Sequence, residues 1–470
     1  RAAARRIAEE RGEEVGRSVG YHIRFERRVS QDTQILVVTE GVLLRMLQSD
    51  PFLEDVGAVV FDEFHERRLD SDLALAMVRV LQSDARPDLL LVVMSATLDA
   101  EPIATFLGKC PIVTSQGRQF PVDVEYLEHR DERPIEVQAA SAVARVLDDS
   151  PGDVLVFLPG VREIRRTEER LQERVGQRLG ALLGKSILPL YGELTSEQQD
   201  KVLRPSADQK IILATNVAET SVTIPGVRTV IDSGLVRRLR FDTGTGLDVL
   251  ELGRISRASA EQRRGRAGRT GPGRCLRLWT RGQQGELSER EVPEVLRLDF
   301  APPALQLLAW GEPNPAEFPW FEPPRASAVE EASRLLELLG ATKKGAITEL
   351  GRRLAELPLH PRLARLLLES ARLDVLSEAA LSAALLSDRD PFRGGPNSAP
   401  SRIVGCDLLE RVRAIQAWQA GGRTQRLHYG ELKRGAARAV IKTAQQLEHT
   451  VRREPVERGS GASMPLDARH

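Results

Sequence analysis

The sequence predicts an α/β protein, with two parallel-sheet domains in tandem and smaller helical domains after them. Apolar runs of strand length alternate with helical stretches from Ile35 to Ile231, which is the pattern of βαβ units. Several runs end at acidic or small hydroxyl residues, collecting polar groups at the carboxyl edge of a sheet, where open α/β folds bind ligands. From about Val292 the strand signal gives way to proline-rich and then helical segments.

Residues 1–15 read as helix, and the turn-like Gly16 to Gly20 leads to Tyr21–Glu26, which alternates like a strand. Ile35–Val38 reads as a short buried strand ending at Thr39-Glu40-Gly41, before a helix through Met46. Val56–Phe61 is an apolar run expected to be buried on both faces. It stops at Asp62 and Glu63, with His65 two residues beyond. A helix is expected over Ser71–Gln82, then a buried strand, Leu89–Met94, ending at Ser95-Ala96-Thr97. A second βα series begins near Val137, with strands expected at Val154–Leu158, Ile187–Tyr191, Ile211–Ala214 and Val227–Ile231. Val236–Ser259 reads as a polar hairpin turning at Asp242–Gly246, and a Gly/Arg cluster occupies Arg263–Arg274.

Pro302-Pro303 and the stretch Glu312–Pro324, with Trp310, Trp320 and Phe321, suggest a packed linker. Val329–Leu339 is an amphipathic helix ending at Gly340, a C-cap signal. Residues 361–387 and 404–450 are expected to be helical, separated by the loop Asp388–Ser401. The expected domains are 1–128, 129–291, 292–357 and 358–453, with a polar tail over 454–470.

Composition narrows the function classes. A length of 470 residues suits about three domains, and 41% apolar with 29% charged residues describes a soluble globular chain. The 67 basic residues match the 67 acidic ones, so nucleic acid would have to be met by local arginine clusters. Cys110, Cys275 and Cys406 are far apart and form no CxxC pair, which argues against a disulfide framework or zinc site and fits a reducing cytoplasm. No apolar run approaches the roughly 20 residues of a membrane span. Glu9, Glu10, Glu13 and Glu14 set the Arg/Ala-rich start apart from a transit peptide. The chain starts inside a helical pattern without methionine, so it is expected to be a piece of a longer protein.

Adjacent carboxylates at a strand end suit magnesium and a phosphate-bound water. Asp62 is the expected magnesium–water partner, and Glu63 the expected base for attacking water. An acidic turn after a strand would read the same. The complementary half must stabilise charge on phosphate, and Gln262-Arg263-Arg264-Gly265-Arg266-Ala267-Gly268-Arg269 suits it. Glycine lets the backbone approach closely, and Arg266 and Arg269 share a face if helical. Taken alone, this cluster is equally a basic surface turn.

Asp62-Glu63-Phe64-His65, Ser95-Ala96-Thr97 and Gln262–Arg269, in that order, together resemble superfamily 2 helicases of the DEAH class. Thr39-Glu40-Gly41, Tyr191-Gly192-Glu193 and Ala214–Ser221 agree. Asp-Glu-Phe-His-Glu-Arg and the segment Leu298–Pro324 look most like the bacterial HrpB type, and the resemblance covers nearly the whole chain. It implies two RecA-like domains, then a winged helix and a ratchet-like helical bundle. ATP and Mg2+ are the implied cofactors. Single-stranded nucleic acid is the implied partner, RNA ahead of DNA, although the residues themselves do not separate the two.

The same resemblance implies roles. Asp62 and Glu63 would handle magnesium and water, and His65 would couple them to Gln262. Arg266 and Arg269 would contact the γ-phosphate. Asp232 would face the nucleotide and Arg6 would stack on its base, opposite Leu203, where the family usually has an aromatic residue. Ser95 and Thr97 would link hydrolysis to domain movement. Arg24, Thr39, Thr215 and Asn216 would touch the nucleic-acid backbone, and the hairpin at 237–257 would separate strands. The family's phosphate loop, G-x-x-x-x-G-K-[ST], is absent and expected upstream of Arg1. Gly180–Ser186 is short of it by one residue, and no buried strand precedes it; it reads as a helix end and loop. The absent loop leaves a non-hydrolysing nucleic-acid-binding module as the alternative.

Overall fold

A computed structural model describes the chain except residues 24–25, 97–99, 116, 118–119, 148, 151, 178–184, 193, 195, 220–223, 388–389, 394–405, 422–425, 428–429 and 454–470. Arg24, Thr97, the stretch 180–184, most of the loop 388–401 and the tail therefore lie outside the described residues.

Helix α1 (Ala2–Glu10) is shorter than the expected 1–15. Gly12 takes φ 71° just beyond it, and a left-handed glycine is a common way for a helix to stop. Strand β1 (Val19–Ile23) pairs antiparallel with β2 (Glu26–Arg28) and parallel with β3 (Ile35–Val38). Then come α2 (Glu40–Ser49), β4 (Ala58–Phe61), α3 (Leu69–Asp84) and β5 (Leu90–Val93). β4 and β5 pair in parallel, from Ala58 opposite Leu90 to Phe61 opposite Val93. Burial on both faces, expected for β3, β4 and β5, is not what the structure has. Val59 and Phe61 share a core with α3, whereas Val60 is 55% and Leu90 59% exposed. Among the described residues β4–β5 is a separate two-stranded sheet, not hydrogen-bonded to β1–β3, and one of its faces is open.

Helix α4 (Glu101–Phe106) leads to β6 (Val122–Leu127), and the second domain continues through α5 (Ile135–Val146), β7 (Asp153–Phe157), α6 (Val161–Gln177), β8 (Lys185–Leu190), α7 (Ser196–Leu203), β9 (Gln209–Ala214) and β10 (Val227–Asp232). The hairpin β11 (Leu235–Asp242) and β12 (Leu247–Arg254), α8 (Arg257–Gly265), β13 (Gly273–Thr280) and α9 (Arg281–Gly285) complete it. Six strands form one parallel sheet in the order β6-β13-β10-β7-β9-β8. Alternate residues serve opposite faces: Val154, Val156, Ile211 and Leu213 pack with Val143 and Ile164, while Leu155, Phe157 and Ile212 pack with Val202 and Ala218. Every residue of β7 is buried, as a strand covered on both sides requires. β6 belongs to this sheet, which therefore begins upstream of the expected 128/129 boundary. The sequence hid two neighbouring strands at one side of the sheet because acids punctuate β6, at Asp123 and Glu125, and arginines punctuate β13, at Arg274 and Arg277.

Beyond the sheets, the expected linker contains α10 (Ala301–Trp310), whose first turn accommodates Pro302-Pro303. Helix α11 (Ala326–Leu338), the wing β14 (Thr342–Lys343) and β15 (Ala346–Ile347), and α12 (Glu349–Glu356) follow. The stretch 361–387 is two helices, α13 (Pro361–Arg372) and α14 (Leu376–Ser387), broken where Asp374 takes φ 60°. The stretch 404–450 is also not continuous helix. β16 (Phe392–Arg393), α15 (Asp407–Gln419), β17 (Arg426–Leu427) and β18 (Gly430–Leu432) precede α16 (Arg434–Arg453), and the three short strands form a sheet. A single core runs from α2, α3 and β4 through α10 to α16, whereas the second domain keeps its own. No described helix is long and apolar enough to cross a membrane.

Candidate active site

β4 delivers Asp62 to its carboxyl end, exposed, with Oδ1 accepting the N–H of Glu63 at 2.8 Å. Glu63 takes φ 51°, the turn Phe64–Glu66 follows, and Arg67 takes φ 49°. Non-glycine residues in this region cost about 1–3 kcal/mol each and persist only where the surroundings impose them. Here Phe64, 2% exposed, anchors the turn. Its N–H donates to the Met94 carbonyl at 3.1 Å, and the Met94 N–H donates to that of Phe61 at 2.7 Å. Burial raises the Glu63 carboxyl above the ordinary glutamate range; His65 and Arg266 oppose the shift, while Asp62 and Glu66 add to it. Such a shift makes a carboxylate a better proton acceptor near neutral pH.

His65 accepts the Ala96 N–H at Nδ1, 3.3 Å away, which leaves the proton on Nε2. Nε2 is buried without a partner. The imidazole lines an interdomain cavity of about 690 Å³, whose walls also include Ser95, Asn216 and Gln262.

Across the cavity, α8 is capped by Ser256, whose Oγ accepts the Ser259 N–H at 3.1 Å, and runs into the turn Arg266–Gly268. A Cβ at Gly268 would lie 2.6 Å from the Phe120 carbonyl oxygen, so only glycine lets this turn pack beside the segment leading into β6. Arg266 is 5% exposed and donates from Nε to the Glu219 carbonyl at 2.8 Å. Burial pushes its pKa down to about 10, with Arg269 adding to the effect and Glu63 and Glu219 opposing it. Arg269 is lowered by burial too, again opposed by Glu63. Arginine stays protonated in proteins, so Arg266 is a buried cation, and Arg269, exposed beside it, is a second one. They share the electrostatic field of Glu63, and their surroundings favour an anion.

Asp232 is fully buried, and its Oδ1 accepts Arg263 Nη1 at 2.8 Å, while its Oδ2 is buried without a hydrogen-bond partner. A charge buried this deeply needs an opposite charge beside it, and Arg263 supplies it. Arg263 also donates from Nε to Glu219 Oε2 at 2.8 Å and lies 4.8 Å over the Phe157 ring. Arg263 and Glu219 were not singled out from sequence; the one available signal was a second arginine in the Gly/Arg cluster, a turn before Arg266.

Arg6 is 73% exposed and bonds Glu10 at 2.7 Å. Its neighbour Arg5 meets Asp200 at 3.6 Å, which sets α1 opposite α7, where Leu203 is the last residue. Thr39 is exposed at the start of α2 and lines a separate cleft of about 350 Å³ with Arg45, Asp70 and Gln306. Thr215 donates its N–H to the Leu190 carbonyl at 3.1 Å and precedes Asn216. His65, Ser95, Asn216 and Gln262 thus line one interdomain cavity, Glu63 beside Asp62 shares its field with Arg266 and Arg269, and Thr39 lines another cleft.

Among the described residues no group of three or more His, Cys, Asp or Glu could hold a metal ion by itself. An exposed lone carboxylate such as Asp62 suits instead a magnesium ion that keeps several waters and shares phosphate oxygens.

Comparison with known proteins agrees with this geometry. Residues 5–106 match the DEAD/DEAH box helicase domain and 138–271 the helicase conserved C-terminal domain. Residues 334–359 match the winged-helix part of the helicase associated domain and 360–431 its ratchet-like part. The chain is 41% identical over 424 residues to the ATP-dependent RNA helicase HrpB of Escherichia coli (strain K12), covering 89% of this chain and 50% of that protein. It is 39% identical over 392 residues to the pre-mRNA-splicing factor ATP-dependent RNA helicase prp22 of Schizosaccharomyces pombe (strain 972), covering 82% of this chain and 33% of that protein. A crystal structure of the E. coli DExH-box NTPase HrpB superposes with a TM-score of 0.77 at 37% identity, over 98% of this chain and 52% of that one. The chain thus spans about half the length of the first of these relatives and a third of the second. With two RecA-like domains, a winged helix and a helical bundle in this order, the chain belongs to the DEAH-box helicase family, within the HrpB type.

Proposed function

We propose that the protein containing this chain is an ATP-dependent RNA helicase, which hydrolyses ATP between its two RecA-like domains and thereby moves along a single strand. One observation carries the reading: Glu63, just past the carboxyl end of β4, lies within the electrostatic reach of Arg266 and Arg269 of the opposite domain. Glu63 takes a proton from the water that attacks the γ-phosphorus, and the bond to the ADP oxygen breaks. Arg266 and Arg269 stabilise the charge on the transferred group, a role worth roughly 10³–10⁵ in rate. Asp62 would hold magnesium, which supplies neutralisation of phosphate charge when bound. His65 lines the same cavity as Gln262, an arrangement suited to reporting domain closure. Asp232 acts through Arg263, holding the helix that leads to Arg266. Thr39, Thr215 and Asn216 are the described candidates for backbone contacts to RNA, and a cytoplasmic location fits such a partner.

A non-hydrolysing binder is not favoured, since it gives no reason to set a raised carboxyl against Arg266 and Arg269. The test uses the full-length protein with single-stranded RNA and ATP. Glu63→Gln is expected to abolish turnover while nucleotide binding persists, and wild-type turnover in that variant would sink the assignment of the base.

A further inference from the structure

The loop carrying Glu63 and His65 is fastened at its far end to a segment outside both sheets. Arg67 donates from Nε and Nη2 to both carboxylate oxygens of Asp72, at 3.0 Å each. The same Nη2 reaches Glu322 Oε2 at 3.3 Å, and the guanidinium carbon lies 4.4 Å from the Phe321 ring centroid. The Arg67 carbonyl accepts the N–H of Glu294 at 3.0 Å. Phe321 also meets Phe64 at 5.9 Å and Phe106 at 5.4 Å. Phe64 is the residue directly after Glu63, so the base lies one residue from this contact. Asp72 is local and would steady the arginine on its own. Glu294, Phe321 and Glu322 come from more than two hundred residues downstream and flank α10, which packs on both α2 and α12 through Gln306.

We propose that Arg67 is a positioning residue through which the segment 294–322 sets the orientation of Glu63, so that the winged-helix and helical domains govern the rate of hydrolysis. This rests on the reading of Glu63 as the base. The physical ground is the pair of left-handed residues at the two ends of the loop: a conformation imposed from outside relaxes when the outside contact goes. A displacement near 1 Å of a reacting group costs about 10²-fold in rate. Arginine suits the role because one flat fork bonds a carboxylate bidentately and stacks on a ring, which lysine does not do.

The experiment measures RNA-stimulated ATP turnover of the full-length protein, separating kcat from KM and recording the melting temperature. Phe321→Ala is expected to lower kcat about 10-fold or more with KM for ATP within about twofold. Phe321→Tyr, which keeps the ring under Arg67, is expected to stay within about twofold of wild type. Arg67→Lys should behave as Phe321→Ala does. If Phe321→Ala does not fold, the more exposed Glu322→Gln decides by the same split. The inference is overturned if kcat is unchanged, or if kcat falls only in step with KM and melting temperature and the tyrosine variant fails to restore it. A wild-type protein without ATP turnover overturns the functional reading and this inference with it, which separates the two failures.

Discussion

At the residue scale, burial raises the Glu63 carboxyl and lowers the Arg266 guanidinium. The proposed base is therefore deprotonated only above the ordinary glutamate value near 4.3. The acid limb of kcat against pH is therefore expected to lie above that value in wild type and to be displaced downward when Glu66→Gln removes a neighbouring negative charge. Arg266→Ala is expected to cost kcat about 10³-fold with a smaller change in KM, read by steady-state ATP turnover. Asp70 offers a stability test. Its carboxyl opens to the cleft beside Thr39 yet is surrounded by protein, and burial, with Glu40 and Glu294, raises it to about 6. A raised acid binds more protons folded than unfolded, so the destabilisation grows as pH rises from about 4 to 6 and is complete above that. Asp70→Asn should therefore stabilise the protein by roughly 1 kcal/mol at pH 8, allowing for solvent screening, and not at pH 4.

At the element scale, the hairpin β11–β12 is the clearest unit. Its eight residue pairs hold register from Leu235 opposite Arg254 to Asp242 opposite Leu247, and Leu239, Leu250 and Leu252 stand 40%, 61% and 51% exposed. Exposed leucines among Arg237, Arg238, Arg240 and Glu251 suit apolar packing against bases better than solvation. Leu250→Glu is expected to reduce duplex unwinding several-fold while single-strand-stimulated ATP turnover is retained, as measured by strand displacement beside phosphate release. The hairpin is braced at Phe241, whose N–H donates to the Arg297 carbonyl at 2.9 Å, so its turn end follows the segment that also holds Arg67.

For the whole molecule, the distribution of cores divides the moving parts. The part of the first α/β domain from α2 to β5 shares one core with the winged helix and the helical bundle, α1 and β1 form a small cluster of their own, and the second domain packs separately. Closure would thus move the second sheet, with Arg266 and Arg269, against a body that already contains Glu63. Within that body His360 Nε2 and Asp299 Oδ2 lie 2.8 Å apart, tying α13 to the segment before α10. The His360 bond holds the buried Asp299 carboxyl below its ordinary value. A depressed acid contributes stability above its unfolded pKa and loses it as pH falls through the folded one. His360→Ala is expected to cost roughly 2 kcal/mol at pH 7 and progressively less as pH drops below about 4, read from urea unfolding midpoints.

Local chemistry made much of this legible in advance. Runs such as Val154–Leu158 and Ile211–Ala214 announce strands covered on both faces, and the ordered acidic, Ser-Ala-Thr and arginine motifs identify the family because each phosphoryl-transfer part needs its own residue types at its own spacing. What the sequence could not carry was anything that depends on a distant partner. The openness of Val60 and Leu90 follows from which strands pair. The membership of β6 and β13 in the second sheet follows from neighbours that tolerate Glu125 and Arg277. Asp232 pairs with Arg263 because the fold buries its carboxylate beside that guanidinium. Arg67 is an ordinary surface arginine in the sequence, and only the fold brings Phe321 and Glu322 to it. Residue type and periodicity determine which chemistry is present; burial and long-range pairing, which set the electrostatics, decide where it acts.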